Sequence, residues 1–142
     1  MALSEGQCIA LDQIRRIADT DRSPVRVIGV ERAVDSGACL TVHITLDCTR
    51  HGQVDGGLRL HDREGITLRI PPEFPFDPPE AVTAHTRFRG FAHVLWGCWL
   101  CLYVSRETQW NPSRGMFGFI AQLNEVLPPF WWVAGHAGRP SG

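Results

Sequence analysis

The sequence predicts an α+β fold: an N-terminal helix, an antiparallel β-meander of about four strands, a long cysteine-bearing loop and a C-terminal helix. Three observations predict it. Apolar residues recur at helical spacing near both ends of the chain. Between residues 25 and 70 they alternate with polar ones. A proline-rich stretch then interrupts the alternation and introduces the loop.

The first helix is expected over about residues 5–19. Ser4-Glu5-Gly6-Gln7 reads as a capping box, with serine at the cap and glutamine three residues on. Behind it Cys8, Leu11, Ile14, Ile17 and Ala18 form an apolar face, with Arg15 and Arg16 on the polar side. Asp19 to Pro24 is a polar turn. Val25–Val30 is a short β-branched strand, and Leu40, Val42, Ile44 and Leu46 alternate with Thr41, His43 and Thr45. Gly56-Gly57 opens a further strand at Leu58–Leu60, and His61–Gly65 reads as a turn before the alternating Ile66, Leu68 and Ile70.

Pro71–Pro79 holds five prolines in nine residues, which predicts an extended, rigid crossing. Ala81–His85 allows one more short strand. Residues 86–112 form a long loop, of the kind that is usually functional. Ser113 is expected to cap the second helix, whose face carries Met116, Ile120, Leu123 and Leu127, with Phe119 and Val126 beside it. Pro128-Pro129 stops that helix.

With 142 residues the chain suits one domain, with a core over about 4–127 and a tail over 128–142. A domain of this size needs no metal or disulfide staple. The 44% hydrophobic and 20% charged content excludes a disordered protein. No run of about 18 apolar residues offers a membrane span. A net charge of −1 leaves no basic footprint for nucleic acid. Met1–Gln7 has neither the basic flank nor the apolar stretch of a secretory signal, so a reduced, cytoplasmic protein is expected. Cys8, Cys39, Cys48, Cys98 and Cys101 are then core fillers unless their surroundings say otherwise.

Cys98-Trp99-Leu100-Cys101 is formally a C-x-x-C, but no second pair or His-x-x-x-His completes a zinc site. All fourteen basic residues are arginine. A GC-rich genome explains this without function. A surface poor in amine nucleophiles explains it with function, because arginine stays protonated.

Three segments, in order, resemble ubiquitin-conjugating enzymes. Phe74-Pro75-Phe76-Asp77-Pro78-Pro79-Glu80-Ala81-Val82 resembles their Y-P-F-x-P-P-x-V. Gly97-Cys98-Trp99-Leu100-Cys101-Leu102 resembles the G-x-I-C-L around their catalytic cysteine, with one extra residue. Gln109-Trp110-Asn111-Pro112 resembles the following W-S-P. The likeness spans about residues 4–127 and implies a UBC-like fold, in which the long loop is the active-site cysteine loop.

The resemblance implies that Cys101 accepts a ubiquitin-like protein from an activating, adenylating enzyme as a thioester and passes it to an amine acceptor. A thiolate suits this chemistry because it is strongly nucleophilic even when sparsely populated. Exchange between thioesters is close to neutral, so no cofactor or metal is implied. Where the family carries H-P-N this chain has Phe91-Ala92-His93, with His93 eight residues before Cys101. Histidine there is similar to bacterial relatives in conjugation and antiphage operons. Its imidazole can donate to an oxyanion or take a proton from the incoming amine, or it can simply hold the loop.

Cys98 is read as structural, with reversible protection of Cys101 as the alternative. Trp110 and Pro112 are expected to brace the loop, and Pro75, Pro78 and Pro79 to form a rigid wall. In the family the first helix docks the activating enzyme, which would involve Arg15 and Arg16. As bare residues they form a solvated face. Two other functions stay open: a non-catalytic UBC-fold module that binds a ubiquitin-like protein, and a thiol-disulfide protein using Cys98 and Cys101.

Overall fold

The computed structural model describes residues 2–32, 38–51, 59–90, 94–95, 97–103 and 109–127. Helix α1 spans Glu5–Asp19 and opens with the expected capping box, in which Ser4 Oγ accepts from Gln7 N and Ser4 N donates to Gln7 Oε1. Gln7 is also buried, because its Nε2 donates to the carbonyls of Ile70 and Ala38 at 3.0 and 2.8 Å. One side chain therefore caps the helix and fastens it to the sheet. Ala10 and Ile14 complete the buried face, whereas Cys8 is exposed.

Four strands follow as an antiparallel meander: β1 (Val25–Arg32), β2 (Leu40–Asp47), β3 (Arg63–Ile70) and β4 (Glu80–Thr83). The short strands β5 (Val94–Leu95) and β6 (Trp99–Leu100) extend the sheet, in the order β1-β2-β3-β4-β6-β5. Alternation decides which side chains face inward. Leu40, Val42, Ile44 and Leu46 of β2, and Ile66, Leu68 and Ile70 of β3, are all buried. They form one core with Ala10 and Ile14 of α1 and with Met116, Phe119, Ile120 and Leu123 of helix α2 (Gly115–Val126). Each buried valine, leucine, isoleucine, methionine or phenylalanine of this core stabilises the fold by about 1.5–3 kcal/mol.

The structure corrects several expectations. Arg63, Glu64 and Gly65 pair with Asp47, Leu46 and Thr45, so they begin β3 and do not form a turn. Arg59 and Leu60 lie outside any strand, and Leu58 is outside the described residues. The proline segment begins as successive turns, Phe74 N donating to Pro71 O and Phe76 N to Glu73 O, and Phe74–Pro75 is a cis peptide. Proline's fixed φ serves a turn as well as an extended chain. The long loop contains β5 and β6, two-residue strands too short to show a period.

Ser113 does not cap α2. Asn111 Oδ1 accepts from Ser113 N and Oγ, which caps a 3-10 turn over Pro112–Arg114. The first turn of α2 is instead satisfied by α1, whose Gln13 Oε1 accepts from Met116 N at 2.8 Å. The helix ends at Val126. Pro128-Pro129 and the rest of the tail lie outside the described residues. Of the five cysteines only Cys48 is a buried core residue.

Candidate active site

Cys101 leaves the sheet directly after β6, and β4 sets its position. Ala81 pairs with Leu100 and Val82 with Trp99, while β5 covers the other edge of β6 through Val94 and Leu95. The β5–β6 turn passes through Gly97 at φ +80°. A Cβ there would sit 3.3 Å from Arg89 Nε and Thr86 Cγ2, and the left-handed backbone itself favours glycine. Cys98 N donates to Leu95 O at 3.1 Å, and Cys98 O accepts from Thr83 N at 2.9 Å. Cys98 thus closes the turn through backbone groups that any residue supplies.

Beyond the turn the side chains alternate. Leu100 and Leu102 are buried, and Cys101 between them is half-buried. The chain past the cysteine is tied to α2, where Gln122 Nε2 donates to the Leu102 carbonyl at 3.1 Å. Tyr103 then enters an aromatic cluster, its ring centroid 6.0 Å from Trp110 and 6.1 Å from Phe119. Trp110 joins the cluster to the proline segment: its Nε1 donates to Pro75 O at 2.9 Å and its ring lies 6.0 Å from Phe74. Trp110 therefore braces the cysteine segment, and Pro75 supplies an acceptor as well as a wall. A cleft of about 180 Å3 opens beside Tyr103, lined in part by Asn111 and Gln122.

The segment that leads from β4 toward residues 91–93 is anchored by charge. Glu64 is buried at 1% exposure, with Arg87 Nη2 2.6 Å and His85 Nε2 3.4 Å from Oε1. His61 N donates to the second carboxylate oxygen. Thr83 Oγ1 donates to His85 O at 2.7 Å. His93 itself, with Phe91 and Ala92, lies outside the described residues.

The family described as prokaryotic E2 family A matches residues 10–137. The chain belongs to that family. The fold agrees. Human ubiquitin-conjugating enzyme E2 G1 superposes with a TM-score of 0.58 at 12% identity, covering 89% of this chain and 98% of that one. S. cerevisiae Ubc12 gives 0.57 at 18% identity, covering 89% and 64%. A curated homoserine O-acetyltransferase of Desulfovibrio desulfuricans is 29% identical over 107 residues, 75% of this chain. The chain spans about a third of that protein's length, 32%. The UBC-like α+β architecture expected from the three motifs is thus the fold of this E2 family member.

Burial pushes the Cys101 thiol of this family A chain above its ordinary pKa, and among the described residues no charged group adds to the shift. Cys48 is pushed up to about 12, by burial first and then by the Glu64 and Asp47 carboxylates, so it is inert. Burial likewise raises the Tyr103 phenol to about 12. Among the described residues no group of three or more His, Cys, Asp or Glu is placed to hold a metal ion. No helix there is long and apolar enough to cross a membrane. On α1, Arg15 and Arg16 are both exposed, and Arg16 pairs with Asp12 at 3.0 Å. Sequence reasoning missed Gln122 and Tyr103. Helical spacing places Gln122 one residue before the buried Leu123, but nothing local to it signals a bond to the cysteine segment.

Proposed function

We propose that residues 1–142 form one conjugating domain that carries a ubiquitin-like protein as a thioester on Cys101 and delivers it to an amine. The observation that carries this reading is the placement of Cys101 in an E2 family member: half-buried between two buried leucines, just past the strand that β4 fixes. The Cys101 sulfur attacks the C-terminal carbonyl carbon held as a thioester on the activating enzyme. The new C–S bond forms as the old one breaks, and the departing sulfur takes up the proton that Cys101 gave up. An amine then attacks the same carbon, the Cys101 C–S bond breaks, and the amine's proton passes to a base. No cofactor enters either step.

His93 is the donor or base assigned to the second step, where an oxyanion donor is typically worth about 10²–10³ in rate. The first helix, with Arg15 and Arg16, is the assigned docking face for the activating enzyme. Burial lowers the thiolate fraction of Cys101 in the free chain, and we assign its activation to the complex with partners. The absence of lysine suits a carrier of activated acyl groups, because it removes side-chain amines that would capture the cargo. We place the protein in a cytoplasmic bacterial conjugation or antiphage system.

The test is incubation with the cognate activating enzyme, ATP and the ubiquitin-like protein. A covalent adduct removed by a thiol reductant is expected. Cys101→Ser should abolish it or convert it to an ester that resists reductant, and Cys98→Ser should retain it. Non-covalent binding with no adduct would instead indicate a UBC-fold binding module. Loss of the adduct in Cys98→Ser, with a Cys98–Cys101 disulfide in the unaltered protein, would indicate thiol-disulfide chemistry.

A further inference from the structure

A cavity of about 350 Å3 lies where the turn after α1, the end of β2, the start of β3 and α2 meet. Four arginines line it: Arg22, Arg26, Arg50 and Arg63. Arg63 is held in place, its Nε and Nη2 donating to Thr45 Oγ1 at 3.1 and 2.9 Å and Nη2 also to Pro24 O at 3.4 Å. Arg22, Arg26 and Arg50 are exposed, and none forms an ion pair with a carboxylate among the described residues. Among the described residues the one carboxylate in the lining is Asp47, which accepts from Thr49 N and Oγ1 at 3.0 and 2.6 Å. Four guanidiniums thus face one engaged carboxylate.

The back of the cavity holds two further groups. His51 Nε2 and Asn124 Oδ1 are both buried there. Burial holds the His51 imidazole below its ordinary pKa, and the Asn124 side chain, by hydrogen bonding, and the Asp47 carboxylate oppose that shift. Converging like charges repel each other, so an anion that engages the guanidiniums would relieve that repulsion, and it can also accept from an imidazole N–H of His51. Guanidinium forks match phosphate oxygens in pairs.

We propose that this cavity is a binding site for a compact phosphate anion of two or more charges, a free diphosphate or the diphosphate of a nucleotide. Arg63 and His51 form its fixed wall, and Arg22, Arg26 and Arg50 close on the ligand. The site is separate from Cys101. Arg63 opens β3, whereas Arg69, six residues on, pairs with Glu80 beside the β4 residues that hold β6. Six residues of strand span about 20 Å.

The experiment is calorimetric titration of the full chain with sodium diphosphate and with ADP at low ionic strength. Saturable one-to-one binding of at least one is expected, and the tighter of the two identifies the source. Arg50→Gln should weaken binding about tenfold, and Arg26→Ala with Arg50→Ala about a hundredfold. Both arginines are exposed and carry no ion pair among the described residues, so unchanged thermal unfolding of the free variants checks the fold. Absence of saturable binding by the unaltered chain would overturn the proposal. So would equal affinity in the folded double variant.

Discussion

Arg87 Nη2 lies 2.6 Å from Oε1 of Glu64, a carboxylate that is only 1% exposed. The pair joins the start of β3 to the chain leaving β4. A second arginine nitrogen, Nη1, donates to Arg59 O at 2.8 Å, and the guanidinium carbon stands 5.2 Å over the Phe88 ring. Removing one partner of such a pair strands the other charge. Arg87→Ala should therefore cost about 3 kcal/mol in denaturant unfolding, near the lower end for broken buried pairs because Arg87 is partly solvated. Arg87→Ala combined with Glu64→Gln should recover part of that loss.

Gln122 holds the carbonyl of Leu102, the residue after Cys101. Gln122→Ala should destabilise the fold by only about 1 kcal/mol, since one neutral hydrogen bond is lost. If the bond positions the sulfur, thioester formation in the assay above should fall several-fold more than this stability change accounts for. Gln122→Glu, which keeps the length but loses the donor, should behave like the alanine variant.

Burial raises the Cys101 thiol, so its thiolate fraction is small at neutral pH and grows only on the alkaline side. Alkylation of the free chain, resolved by peptide mass spectrometry, should keep accelerating at Cys101 beyond the ~8.5 at which an unperturbed thiol titrates. A rate that levels off near neutrality would mean an activated thiol and would contradict the burial argument.

His85 and His51 both lie below the ordinary histidine pKa. Burial is the main cause in each, and Arg87 adds to it at His85. The folded chain therefore binds fewer protons than the unfolded chain in the range below about 6.5. Their contribution to stability is present above that pH and is lost as the pH falls through and beneath it. Denaturant midpoints should drop from pH 7.5 to 5.5, and His85→Gln should flatten that drop.

What the sequence made legible was local. The capping box at Ser4 and Gln7, the alternation of β2 and the face of α2 each lie within a few residues, where spacing determines burial. What it hid depended on distant partners. Glu64 reads as a turn residue until Arg87, 23 residues on, neutralises it. The cap of α2 comes from Gln13, 103 residues before Met116. Cys8 fits the helical spacing of an apolar face, yet Ala10 and Ile14 are the residues turned to the core. Cys101 was marked by motif order alone, since nothing in its own periodicity separates it from Cys98.

The first turn of α1 lies so close to Phe74 that a Cβ on Gly6 would overlap the Phe74 carbonyl. Phe74 in turn meets Trp110 at a tilt, and Trp110 meets the ring of Tyr103, beyond the cysteine, edge-on. A glycine with no chemistry of its own thus stands first in a relay of contacts that runs from the opening of the chain to the vicinity of Cys101. Screening random substitutions for lost activity should therefore recover Gly6, and a search confined to the neighbourhood of the sulfur would overlook it.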